Sequence, residues 1–268
     1  MSDEAASTEP PKVDTAVPHS ARVWNYWLGG KDNFAADRAV GDQVRQIFPQ
    51  IVMNARAQRE FLTRVVRYLA GELRVRQFLD VGTGLPTAGN THEVAQQVAP
   101  DCRIVYVDND PVVLAHARAL LTSSTAGTTA YIDVDVREPG EVVRAAALTL
   151  DFNRPTALML LGILGHIGDD DEAGSIVRQL VEALSLGSYL VVADGANVDE
   201  AGNEAQRRYN EAAPVPYHLR SPEQISAFFG GLDLLSPGLV PVSQWRPDPN
   251  SADESANTAV FGGVARKS

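Results

Sequence analysis

An apolar run, Phe78-Leu-Asp-Val81, ends in the turn Gly82-Thr-Gly84. Glycine at both positions lets the backbone turn tightly and lets a ligand approach where a Cβ would stand. A second run, Ile104-Val-Tyr-Val107, ends in Asp108 one helix later. A carboxylate at that strand end can accept hydrogen bonds from both hydroxyls of a ribose. A third acid, Asp135, closes the next run within Ile132-Asp-Val-Asp-Val-Arg137. It can accept from an adenine amino group while Val136 packs on the ring; Asp133 takes that role if the strand register is shifted by two. A glycine turn followed by two strand-end acids points to an adenine nucleoside.

The turn also says what the nucleoside carries. A dinucleotide rests its pyrophosphate on a helix N-terminus, and a third glycine permits that close packing. Leu85-Pro86 stands there instead, and the stretch to Asn90 is long. A ligand without phosphates, holding an amino-acid tail over the turn, fits better.

Further chemistry-bearing residues follow the later runs. His166 comes after the fourth, at the carboxyl edge where open α/β sheets bind ligands, and is the first choice for an acid or base. Asp194 and His218 are further candidates, and Tyr217 and Trp245 are candidate pocket walls. No His, Cys and Asp cluster has metal-ligand spacing. No nucleophile elbow or Walker loop occurs.

These residues need a scaffold, and the periodicity supplies one. Strands are expected over 77–81, 104–108, 129–134, 156–163 and 189–193. Helices alternate with them: 90–98, with Asn90 and Glu93 as a capping pair; Asp110-Pro111 to 121; 139–148; and 170–184, with an acidic first turn. That alternation predicts a doubly wound parallel sheet with right-handed crossovers. Two last strands, 232–242 interrupted at Pro237-Gly238 and 258–265, have only a polar segment between them. They should pair antiparallel. Helices are also expected over 200–212 and from the capping box Ser221-Pro-Glu-Gln224 to 229.

Ahead of this core, residues 1–18 read as a disordered tail and 19–75 as a helical lid segment, leaving 76–268 as the core. The lid carries helices from 32 or 33 to 48 and from 52 to 71, and an aromatic stretch, Trp24-Asn-Tyr-Trp27, before Gly29-Gly30. Arg56, Arg59, Arg64 and Arg67 on its second helix read as a solvated face.

Composition narrows the function classes. The chain has 268 residues and a net charge of −11, which argues against a broad phosphate-tracking surface for nucleic acid. No apolar run approaches the roughly 20 residues that span a bilayer. The first residues are acidic and polar, unlike a secretory signal. With Cys102 the one cysteine, no intrachain disulfide forms, and a cytoplasmic location is expected.

The motifs resemble those of class I S-adenosylmethionine-dependent methyltransferases. Asp80-Val-Gly-Thr-Gly84 looks like their first motif, and Val107-Asp-Asn-Asp-Pro111 onward like their second-strand region. More narrowly, Ala21-Arg-Val-Trp-Asn-Tyr-Trp-Leu-Gly-Gly-Lys-Asp-Asn-Phe34, Arg76–Thr87, Tyr106–Arg118 and Pro237–Pro241 with Trp245-Arg-Pro247 look like an actinobacterial methyltransferase family once catalogued as a domain of unknown function. The resemblance implies a Rossmann-like sheet of seven strands ending in an antiparallel hairpin, with S-adenosylmethionine as cofactor. The acceptor, expected to be a small molecule, stays undefined. Around Gly162–Ile167 the chain departs from the family, whose histidine is expected slightly earlier.

On this resemblance the cofactor contacts are Asp80, Gly82, Thr83 and Gly84 of the first motif, Asp108 and Asn109 of the second, and Asp135 with Val136. Tyr26 and Trp24 are candidate walls for the sulfonium, whose charge favours a π face. Lys31, Asp32 or Asn33 is expected at the amino-acid end, Lys31 suiting its carboxylate. His166 is the candidate catalytic residue. A non-catalytic module that binds S-adenosylmethionine and a nicotinamide-dependent oxidoreductase remain the alternatives.

Overall fold

Every residue of β1 (Gln77–Val81) is buried, so this strand has protein on both faces. A computed structural model defines the surroundings of that strand and describes residues 14–87, 89–120, 124–247 and 258–268. The strands that follow are β2 (Arg103–Asp108), β3 (Thr128–Asp133), β4 (Ala157–Leu161) and β5 (Tyr189–Gly195). After them come the two-residue β6 (Asp233–Leu234) and β7 (Val240–Pro241), and then β8 (Val260–Arg266). They form one sheet in the order β3-β2-β1-β4-β5-β8-β6, with β7 also on β8. The first five are parallel; β8 runs antiparallel to β5, β6 and β7.

The sheet is therefore seven positions wide, as expected, but has eight strand segments among the described residues. The expected strand over 232–242 is cut by the turn around Pro237-Gly238 into β6 and β7, both seated on β8. The polar segment expected between the last strands falls from residue 248 outside the described residues. So do residues 1–13 of the expected tail.

Helices α1 (Ser20–Trp27), α2 (Ala35–Ile47) and α3 (Ile51–Gly71) precede the sheet. Between its strands lie α4 (Thr91–Val98), α5 (Pro111–Leu120), α6 (Pro139–Ala146) and α7 (Asp170–Glu182). Beyond β5 come α8 (Glu200–Ala212) and α9 (Pro222–Ala227). Successive strand residues point to opposite faces, and the two cores divide that way. Phe78, Ile104, Tyr106 and Met159 pack against α3 and α4 on one face. Leu79, Val105, Leu158 and Leu160 pack toward α6 and α7 on the other. Each large apolar side chain so buried contributes on the order of 1.5–3 kcal/mol.

Two expectations change here. Residues 52–71 were grouped with the lid, yet α3 buries Phe61, Leu62, Val65 and Leu69 in the core of the sheet itself. Trp245, expected as a pocket wall, is fully buried in that same core, edge-on to Phe61 at 5.5 Å and to Tyr68 at 5.9 Å. Arg64 of α3 donates to the carbonyls of Trp245 (3.0 Å) and Val242 (2.6 Å), so it ties down a loop rather than facing solvent.

A third cluster joins α1, α2 and α8 through Val23, Trp27, Val44, Phe48, Ala205 and Tyr209. Helix α1 was not anticipated. Its inward residues include Arg22 and Asn25 rather than an apolar stripe. Arg22 Nε meets both oxygens of the fully buried Asp37 at 3.1 and 3.0 Å, and Asp37 also accepts from the backbone N–H of His19 (2.9 Å) and Phe34 (2.8 Å). This pair fixes α1 against the start of α2. Removing one partner would strand a buried charge, a loss of about 3–5 kcal/mol. Among the described residues no helix is long and apolar enough to cross a membrane.

Candidate functional site

The order of the strands places a topological switch between β1 and β4, where crevices open at the carboxyl edge. Gly82 and Gly84 turn there with φ of +75° and +63°, a region that favours glycine. A Cβ on Gly82 would lie 2.5 Å from the Ile163 side chain. Gly84 donates its N–H to Asp108 Oδ2 at 2.9 Å, and the backbone N–H of Asp110 reaches Asp108 Oδ1 at 3.0 Å. Burial raises the pKa of Asp108, and these two bonds oppose that rise. The Thr83 hydroxyl is 2.6 Å from that of Tyr131.

Asp80, at the centre of the sheet edge, accepts from the Thr91 hydroxyl at 2.6 Å, and burial pushes its pKa up to about 6. Asn109 donates to Asp135 Oδ2 at 3.0 Å, and the Arg137 N–H reaches Asp135 Oδ1 at 2.8 Å. Strand β3 stops at Asp133, one residue before the expected end at 134 and two before Asp135. Asp133 is nevertheless exposed and outside the cavity, whereas Asp135 and the buried Val136 line it.

These residues form one end of a cavity of about 480 Å³. From the turn it passes the end of β4 at Gly162 and His166 and continues under α1. Its far end is walled by Val44 and Phe48 of α2, Ala205 and Tyr209 of α8, and Val260. His19 crosses to the side of the glycine turn, its Nδ1 lying 2.9 Å from Asp110 Oδ2.

Of the aromatic stretch, Trp24 lines the cavity, edge-on to Trp27 at 5.7 Å. Tyr26 does not. It is turned toward α2, where its hydroxyl donates to Asp42 at 2.7 Å and its ring lies over Gly41. On an eight-residue helix, Trp24 and Tyr26 are two positions apart and cannot share a face. Lys31 is exposed and outside the cavity. Asn25 organises that loop instead, accepting from the Asp32 N–H (3.1 Å) and from Asn33 Nδ2 (3.0 Å).

One cation of the face expected to be solvated lines the site. Arg59 of α3 donates to Asn90 Oδ1 at 2.9 Å and feels the charge of Asp80. The Thr87 hydroxyl beside it is buried and has no hydrogen-bond partner among the described residues. Gln58 and Tyr209 also line the cavity and were not singled out. Arg59 and Gln58 read as a helix's polar face, and Tyr209 lies in a polar run, so local pattern gave no signal for them.

His166 ends a 3₁₀ turn (Leu164–His166) after β4. Its Nδ1 is 3.0 Å from the Pro216 carbonyl. Since a carbonyl only accepts, that nitrogen carries the hydrogen, and Nε2 keeps its lone pair. Burial lowers the His166 pKa, so the ring is neutral near pH 7. Tyr217 meets it edge-on at 5.1 Å. The Tyr217 hydroxyl is anchored to Asp194, accepts from the Gly195 N–H at 3.1 Å, and is kept protonated by burial. Asp194 lies behind this ring, with Arg220 at 4.0 Å, and burial pushes it up to about 6. His218 packs on Gly168 outside the cavity. Among the described residues no group of His, Cys, Asp and Glu could hold a metal ion.

With this geometry in hand, the comparisons converge. The model of a family described as S-adenosyl methyltransferase matches residues 6–268. The crystal structure of a DUF574 family protein from Streptomyces avermitilis MA-4680 is similar at 41% identity and a TM-score of 0.92, over 96% of this chain and 100% of that one. A protein of Thermobifida fusca YX provisionally described as a methyltransferase is 39% identical, with a TM-score of 0.88 over 98% and 99% of the two chains. The N-methyltransferase NodS from Bradyrhizobium japonicum WM9, in complex with S-adenosyl-L-homocysteine, shares the fold at 13% identity and a TM-score of 0.50, over 80% and 87%. No curated protein matches the chain.

Proposed function

The chain belongs to the S-adenosyl methyltransferase family, and from that premise we propose that it methylates a small molecule held in the chamber under α1, with His166 as the base. It is an enzyme that uses S-adenosylmethionine, which sets aside the nicotinamide and non-catalytic readings. The observation that carries the proposal is a cavity of about 480 Å³ lined both by the glycine turn and by the apolar lid cluster. That volume falls within the roughly 300–1,000 Å³ of small-molecule sites.

The residues at the turn end suit this cofactor part by part. Asp108 is the ribose acid. Asp135, steadied by Asn109, is the adenine acceptor, and Val136 is the apolar surface under the ring. The backbone of Gly82, Thr83 and Gly84, backed by Asp80, faces the amino-acid tail. In place of Lys31, Arg59 is the cation for its carboxylate, and the orphaned Thr87 hydroxyl beside it is a ready hydrogen-bonding group. Trp24, rather than Tyr26, is the π face near the sulfonium.

When bound, S-adenosylmethionine supplies a methyl group already activated on a sulfonium. The protein's work is then positioning and the exclusion of water. Helix α1 covers the cavity, and the Arg22–Asp37 pair holds it there. His166 Nε2 takes the proton that a hydroxyl or amine acceptor loses as it attacks. Tyr217 holds the ring edge and does not itself ionise. A cytoplasmic setting belongs to this proposal, supported by the single, buried Cys102.

The test is calorimetric titration with S-adenosylhomocysteine, on the native chain and on His166→Gln, followed by transfer assays on the acceptors it accepts. Retained binding with lost turnover supports the assignment; turnover that is unchanged in His166→Gln removes the base.

A further inference from the structure

The charged lining of the cavity, its histidines included, is unevenly spread. His19, Arg59, Asp80, Asp108, Asp135, Arg137 and His166 all belong to the turn, the sheet edge or the residues facing them. Among the described residues, the far chamber has none of these. There α2 contributes Val44 and Phe48, and α8 contributes Ala205, Gln206 and Tyr209. Ile51, Ala259 and Val260 complete the wall. The charges nearest behind it are engaged elsewhere: Asp37 with Arg22, and Asp194 with Tyr217.

Two polar side chains line this part of the cavity, Tyr209 and Gln58. The Tyr209 side chain is 6% exposed and Gln58 is 8% exposed. Among the described residues, neither the Tyr209 hydroxyl nor the Gln58 amide has a hydrogen bond. Gln58 Nε2 would lie 3.1 Å from a Cβ on Gly162, so this amide is at the end of β4, where the two halves of the cavity meet. Burial raises the pKa of Tyr209 well into the range where it stays a neutral donor. Neither is one of the fully enclosed polar atoms without a partner, so both reach the cavity, where a ligand can take the place of water.

We propose that the methyl acceptor is an uncharged, mostly apolar molecule seated between α2 and α8 and held by the Gln58 amide and the Tyr209 hydroxyl. This rests on the reading of the site as a methyltransferase's. A carboxylate or ammonium in the chamber would lose its hydration with no counter-charge to replace it. A neutral hydroxyl-bearing ring system loses little and gains both hydrogen bonds.

The experiment uses the full chain loaded with S-adenosylhomocysteine and three probes of one shape: 2-naphthol, 2-naphthoate and 2-naphthylmethylammonium. Calorimetry at pH 7.5 should give 2-naphthol at least about tenfold tighter binding than either ion. Tyr209→Phe and Gln58→Leu should each weaken 2-naphthol by about three- to tenfold. Equal or tighter binding of either ion overturns the proposal. So does failure of 2-naphthol to bind at its solubility limit, or binding indifferent to both substitutions. S-adenosylhomocysteine titrated alone keeps the two readings apart. If it binds while the probe result fails, the acceptor class falls and the donor site stands; if it does not bind, the donor site falls.

Discussion

The backbone N–H of Gly84 donates to Oδ2 of Asp108 at 2.9 Å, so the glycine turn and the acid that ends β2 are one unit. The bond aims the carboxylate. An ionised carboxylate has about four acceptor positions, and two are used here by Gly84 and Asp110. Asp108→Asn keeps the shape and removes the charge. We expect S-adenosylhomocysteine to bind about tenfold more weakly, as loss of charge-assisted bonds costs on the order of 1.5–3 kcal/mol. Unchanged affinity by calorimetry would remove Asp108 from the ribose.

His166 gives a pH profile. Its pKa is lowered by burial, with the neighbouring Arg137, His19 and His218 pushing the same way against the Pro216 bond. A base works while neutral, so turnover should hold at pH 7 and fall as pH drops below the ordinary histidine value of about 6.5. His166→Gln should lower kcat by roughly 10²–10⁴ and leave S-adenosylhomocysteine affinity nearly unchanged. An acid limb that persists in the variant would assign it to another group.

Asp80 and Asp194 should be visible in stability. Burial raises both to about 6 in the folded chain, against about 3.9 unfolded. Between those values the folded state binds more protons than the unfolded one, so stability falls as pH rises from about 4 to about 6, by at most ~1.4 kcal/mol per pH unit for each group. Asp194→Asn should flatten that slope by one group's share. Melting temperatures measured across pH 4–7 decide it; an unaltered slope means that Asp194 does not titrate there.

Much of this was legible because it is local. The turn at Gly82 and Gly84, the acid at 108 and the helix after Asp110-Pro111 are each written in a few adjacent residues. Asp135 was legible as well, although β3 stops at Asp133, because the loop beyond the strand carries the acid into the cavity. What escaped was set by tertiary packing. Helix α1 is capped by His19 and buries Arg22 and Asn25, so it lacks the apolar period that announces a helix. Tyr26 and Trp24 looked equivalent in the sequence, and the turn of α1 divides them. Trp245 could not be told from a pocket wall until its loop was seen to lie on Phe61 and Tyr68.

Arg59 offers the sharpest division of the donor site. Asp108 and Arg59 are assigned to different parts of one ligand: the ribose, and the carboxylate of the amino-acid tail. 5′-Methylthioadenosine has the nucleoside and sulfur but no amino-acid tail. Arg59→Gln should therefore weaken S-adenosylhomocysteine by about tenfold or more, the scale of a hydrogen-bonded charge, and leave methylthioadenosine within about twofold. Asp108→Asn should weaken both. The comparison carries its own control, because Arg59 also bonds Asn90 and faces Asp80. If Arg59→Gln merely loosened the loop, methylthioadenosine would suffer too. Equal loss for both ligands would make Arg59 a scaffold residue, and the carboxylate would then need another partner near the Thr87 hydroxyl.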